Sequence, residues 1–154
     1  LLLAMVVMYT LGAGLFNIFI ALSLVGWAGV ARVVRSQTLA LKEKEFVEAA
    51  RANGTKRTAI MARHILPNVV PMLIVQFSLN IPDAIMTESA LTFLGVGIQP
   101  PAASWGLLVA KGKEFLFIAP MVAIIPGVAI LVTVLAFNFV GDGLRDALDP
   151  YMKD

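Results

Sequence analysis

The chain has 154 residues, 59% of them hydrophobic and only 14% charged, with a mean hydropathy of +0.87 and a net charge of +2. Soluble domains run at roughly 45–50% apolar and about 25% charged, so too little polar surface is present to coat a water-soluble globule, and the apolar content equally excludes an intrinsically disordered chain. With no cysteine and a single histidine, His64, the sequence contains no disulfide, thiolate zinc site, cysteine nucleophile or multi-histidine metal centre.

The fold class expected is therefore an all-α integral membrane protein, a polytopic helix bundle. Leu1–Tyr9 opens in an apolar run without a basic leader or a small-residue cleavage site, which argues against a signal peptide. Nine helical residues reach only about 13 Å, short of the roughly 30 Å hydrocarbon core. Residues 1–10 are accordingly expected to be the end of a truncated span. Gly12 and Gly14 mark a turn, and a full span is expected over 15–34, ending in Arg32 and Arg35. A second is expected over 68–88, with Pro71 and Pro82 inside it, and a third over 116–141. Proline and glycine are tolerated in such helices because neighbours support the freed backbone groups.

Charge sets the expected orientation. Arg32–His64 carries eight of the twelve lysines and arginines against three glutamates, a net +5, leaving −3 for the rest (four basic, seven acidic). Positive loops stay in the cytoplasm, which puts 40–66 inside, 89–115 in an extracytoplasmic loop and the tail inside. With Phe46 as its one aromatic, the basic stretch lacks a stacking platform for nucleic acid, and no nucleic-acid partner is expected.

Residues 40–66 are too patterned for a passive connector. Lys44 and Glu48 are four apart, and Phe46, Ala49 and Ala50 share a helical face. Asn53-Gly54 reads as a helix stop, and Thr55 as the cap of a second short helix with Ile60, Met61 and Ile65 on its apolar side. Pro67 either ends that helix or starts the next. A helix–Gly turn–helix results, either docking a partner or lying on lipid headgroups.

These residues resemble a known family. Glu48-Ala49-Ala50, then Gly54, then Leu66-Pro67, are similar to the cytoplasmic EAA loop of binding-protein-dependent ABC importer permeases of the type I kind. The wider string EFVEAARANGTKRTAIMARHILPN (Glu45–Asn68) resembles their dipeptide/oligopeptide/nickel branch, as do ESALTFLGVGIQPPAASWG (Glu88–Gly106) and FNFVGDGLRDALDP (Phe137–Pro150). The last resembles the second of two paired permeases. His64 stands where the general pattern has Ile, a departure that peptide-type members share. The resemblance implies an ATPase-coupling site of Glu48, Ala49, Ala50, Gly54, Arg57, Leu66 and Pro67. Implied partners are ABC ATPase subunits, a second permease and an extracytoplasmic solute-binding protein, in the inner membrane of a prokaryote among membrane lipid. Small peptides or related solutes such as nickel are the implied cargo. No cofactor or catalytic activity of its own is implied.

Asp83 and Glu88 are ionisable groups in or near a span, where such residues are costly and often functional. They are candidates to line the path, or else sit at the outer interface paired with Lys111 or Lys113. Trp105, within Gln99–Gly106, is expected at the outer headgroup level or on a surface for the binding protein, and Trp27 at the inner one. Asp142 is expected to cap a short tail helix, with Arg145 paired to Asp149. Lys111-Gly112-Lys113 does not make a phosphate loop, because Leu107 replaces the first glycine and Glu114 the Ser/Thr. An ion-driven secondary transporter using Asp83, Glu88 and Pro82, and a scaffold without transport, are the rival readings.

Overall fold

The computed structural model describes residues 1–148, and they form seven α-helices without strands. These are α1 (Leu2–Leu11), α2 (Leu15–Lys42), α3 (Glu45–Ala52), α4 (Arg57–Ile60), α5 (Leu66–Phe93), α6 (Trp105–Gly112) and α7 (Met121–Leu148). The pairing expected between Arg145 and Asp149 lies outside the described residues, as does the end of the Phe137–Pro150 segment.

Among the described residues, three helical stretches are long and apolar enough to cross a membrane: Leu15–Lys42, Arg57–Phe93 and Met121–Leu148. Each 28-residue helix is about 42 Å long, more than a hydrocarbon core requires. Only 11%, 11% and 6% of their most apolar windows are buried within the chain. Their sides therefore face lipid or other protein.

α2 and α5 extend beyond the apolar runs that announce them, and α7 is shifted, starting at Met121 rather than at 116 and ending at Leu148 rather than at 141. α2 continues past Arg35 through Ser36, Gln37 and Thr38 to Lys42, a cation suited to a helix C-terminus. α7 starts at Met121, after Pro120, which needs no amide partner at a helix start. It then runs unbroken through Asp142 and Arg145. That corrects the separate tail helix capped by Asp142: no break precedes the aspartate, so it has no free helix end to cap.

α4 is also not a separate element. It passes through a wide π-turn, Met61–Ile65, straight into α5, giving one continuous helix of 37 residues from Arg57 to Phe93. Pro67 explains the widening. It cannot donate to the carbonyl of Arg63, and its ring would crowd that oxygen in an ordinary turn. Thr55 likewise does not cap: the N-cap is Lys56, with no side-chain hydrogen bond.

Two apolar clusters hold opposite ends of the bundle. At the far end, Ala4 and Met8 of α1 pack on Ile18 and Ala21 of α2, with Leu91 of α5 and Ile98. The α1–α2 turn is closed by the Asn17 amide, which donates to the carbonyls of Leu11 (2.8 Å) and Gly12 (3.0 Å). At the other end, Val47 and Ala50 of α3 pack on Ile60, Ile65 and Val69, with Val34 and Leu41 of α2 against them.

α5 and α7 form the main helix pair, and α6 bridges both. The bridge depends on missing side chains. A Cβ on Gly106 would lie 2.6 Å from Ser89 Cα, and one on Gly112 would lie 2.7 Å from Ala123 Cα. Backbone meets backbone at both ends of α6.

Candidate coupling hairpin and polar groove

The hairpin begins with α3, whose polarity is matched to its dipole: Glu45 and Glu48 lie in the first turn and Arg51 in the last. Lys44 stands in extended backbone at the N-cap, ahead of the helix. α3 ends in a Schellman turn. Thr55 N donates to Ala50 O (3.1 Å) and Gly54 N to Arg51 O (2.9 Å), with Gly54 at φ +72°.

The face shared by Phe46, Ala49 and Ala50 is not buried as a unit. Val47 is fully buried and Ala50 nearly so, while Phe46 and Ala49 are exposed. Val47 was the residue that sequence reasoning missed. An eight-residue helix with apolar side chains at 46, 47, 49 and 50 permits either phase, and the patch formed by Ile60, Ile65 and Val69 selects Val47.

The seven coupling candidates divide into three groups. Glu48, Ala49, Gly54 and Arg57 are exposed on the hairpin's outer surface. Ala50 faces inward and anchors α3 to the bundle. Leu66 and Pro67 stand at the root, as the first two residues of α5, both exposed. Phe46 leans toward the root, its ring 6.3 Å from that of His64.

Beside the root lies a groove of about 640 Å³ between the ends of α2, α5 and α7. Its α5 wall is a helical stripe: Pro67, Asn68, Pro71, Met72, Val75, Gln76 and Leu79. Gln37 of α2 and Arg145 and Leu148 of α7 complete it. Leu79 packs on Gly141 of α7, where a Cβ would come within 2.7 Å of Leu79 Cδ2. The groove thus ends where α5 and α7 close on each other. Gln76 Nε2 donates to Asn80 Oδ1 (3.1 Å), and Asn68 Nδ2 to His64 O (2.6 Å). These amides carry no charge, and a reading that searched the spans for ionisable groups passed over them. Gln76 and Asn80, four apart in an apolar span, were the available signal.

Asp83 and Glu88 lie further along α5, away from this groove. Asp83 is exposed, after buried Pro82. Glu88 is half-buried, and among the described residues its carboxylate bonds to Thr92 Oγ1 (2.8 Å) and Ser89 Oγ (3.3 Å) rather than to Lys111 or Lys113. Thr92 Oγ1 in turn accepts from the buried Ile98 N–H (3.0 Å), tying the loop after α5 back onto the helix. Lys113 Nζ lies 5.1 Å from the centre of the Phe93 ring, within cation–π range. Trp105 and Trp27 are both exposed.

A bundle of membrane-length helices with an exposed polar hairpin at one end and an amide-lined groove at its root has the build of an integral membrane transport component. Over residues 1–154 the chain matches the family of binding-protein-dependent transport system inner membrane components, and it belongs to that family. With the family go the type I ABC importer permease fold and the inner membrane. The chain is 47% identical over 139 residues to the oligopeptide transport system permease protein OppC of Salmonella typhimurium, a match covering 90% of this chain and 46% of that protein. The OppC protein of Haemophilus influenzae is 49% identical over 139 residues, covering 90% and 45%. The glutathione transport system permease protein GsiD of Escherichia coli is 45% identical over 153 residues, covering 99% and 50%. The chain spans about half the length of the curated relatives it matches.

Proposed function

We propose that this chain is the coupling part of a permease subunit in an ATP-driven importer of small peptides or related solutes such as nickel. In this reading the α3–α4 hairpin lies in the cytoplasm and docks on a separate ATPase. A second permease completes the path and an extracytoplasmic binding protein delivers the solute.

The observation that carries the reading is mechanical. α4 continues without a break through α5, so a push on the hairpin enters a helix about 55 Å long. Val47, Ala50, Ile60 and Ile65 pin α3 to that helix, while Glu48, Ala49, Gly54 and Arg57 stay outside for the partner. A flexible loop would absorb the displacement; a buried apolar seam and a Schellman turn transmit it. Glu48 and Arg57 offer opposite charges to an ATPase surface. The peptide assignment follows the names of the OppC and GsiD relatives. Asp83 belongs in this reading to the outer part of the path, with Glu88 beside it.

Affinity purification of the full-length permease tests the proposal. An ATPase subunit is expected to co-purify with it and to be lost when Glu48–Gly54 is scrambled. Retention of the ATPase by the scrambled protein rejects the docking site.

A further inference from the structure

We infer that the groove between α2, α5 and α7 is a binding surface for the peptide backbone of the solute, with Gln76 as its central contact. The inference rests on the transport reading above and assigns the site within it.

Chemistry selects the ligand class. Among the described residues the groove holds three carboxamides, Gln37, Asn68 and Gln76, and one cation, Arg145, the latter with Asp142 and Asp146 near it in sequence on α7. A carboxamide repeats the donor and acceptor set of a peptide bond and is indifferent to side-chain charge. Three of them suit a solute whose backbone is constant and whose side chains vary. Gln76 gives one amide hydrogen to Asn80, which leaves its carbonyl oxygen as an acceptor for a peptide N–H and its second N–H as a donor for a peptide carbonyl. Asn68 likewise gives one amide hydrogen to the His64 carbonyl and keeps its carbonyl oxygen and second N–H.

Physics argues against lipid as the occupant. An amide moved into hydrocarbon with no partner loses several kcal/mol, roughly 4–8 on a cyclohexane scale, and Asn80 satisfies only one of the Gln76 groups, so the rest carry part of that penalty. The Gln76 face therefore belongs against water, polar protein or solute. Met72, Val75 and Leu79 on the same stripe give apolar surface for side chains, and the volume falls within the roughly 300–1,000 Å³ of small-ligand sites. Leu79 against Gly141 stops the groove at one end, so a bound solute is held beside the hairpin root.

The test uses the full-length permease in membrane vesicles with its second permease, ATPase subunits and binding protein, and radiolabelled trialanine as probe. p-Benzoylphenylalanine at Met72 is expected to crosslink to trialanine during ATP turnover at least tenfold more than at Leu131, which is exposed on α7 outside the groove. Gln76→Leu is expected to lower trialanine uptake per ATP hydrolysed at least fivefold, with recovery in Gln76→Asn. Vesicles that accumulate trialanine while position 72 crosslinks only to protein or lipid overturn the inference, as does wild-type uptake per ATP in Gln76→Leu. Wild-type vesicles that accumulate no trialanine sink the peptide assignment of the proposed function and this inference with it.

Discussion

Gly54 holds its turn at φ +72°, a conformation that costs an ordinary L-residue about 1–2 kcal/mol, and a Cβ there meets no atom within 4 Å. Backbone strain and lost partner fit, not internal clash, are therefore the penalties for a side chain. Gly54→Leu is expected to insert and accumulate normally yet to lose most solute uptake, while Gly54→Asn, which tolerates this conformation, keeps more. Paired uptake and ATPase assays check this, and full substrate-dependent transport by Gly54→Leu would count against a docking role. Thr92 is a different case, a buried hydroxyl that bonds to Glu88 and holds the Ile98 N–H. Thr92→Val keeps the shape but leaves that N–H unpaired, which is expected to destabilise by about 1–3 kcal/mol. Thr92→Ser should recover most of the loss, measured by thermal unfolding in detergent. The two residues differed in how visible they were beforehand. Asn53-Gly54 after a short helical run is a local signal, whereas Thr92 acts through a contact six residues on that only the folded loop creates.

At the scale of elements, α6 depends on close approach at both ends. Gly106→Val or Gly112→Val places a branched side chain against the backbone of Ser89 or Ala123, and neither helix can yield locally. Each is expected to cost at least about 2–3 kcal/mol, toward the severe end for overpacking. Gly143→Ala, with open space at its Cβ, is expected to be neutral or slightly stabilising. Expression levels and melting temperatures of the purified variants separate these outcomes. The long helices were legible from apolar runs, but their ends were not, nor was α6, which lies within the stretch 89–115 that reads as a loop. Hydropathy falls at Arg35 and again at Asp142, yet the backbone stays helical to Lys42 and Leu148 because polar residues such as Ser36, Gln37 and Arg145 are acceptable helix residues outside an apolar core. The continuity of α4 with α5 was hidden for the opposite reason. Pro67 reads as a boundary, and only the π-turn before it lets the helix carry on.

For the molecule as a whole, the apolar clusters at the two ends and the long helices between them make a frame whose flanks are left open. The coupling candidates come from resemblance to a family motif, and four of them lie on the hairpin surface; the groove left no such sign, because neutral amides leave little mark on hydropathy or charge. In the proposed function the hairpin transfers force from a cytoplasmic ATPase. The chain has no cysteine of its own, so a single introduced thiol is a unique reporter within it. Ala49 is exposed on α3 and lies outside the buried seam. The most direct measurement is cysteine crosslinking of Ala49→Cys in the full-length permease within intact cells, combined with labelling by a membrane-impermeant maleimide. A cytoplasmic coupling hairpin predicts protection from the external reagent and an ATP-sensitive crosslink to an ATPase subunit. Labelling from outside, or no ATPase adduct in cells that take up solute, would contradict it.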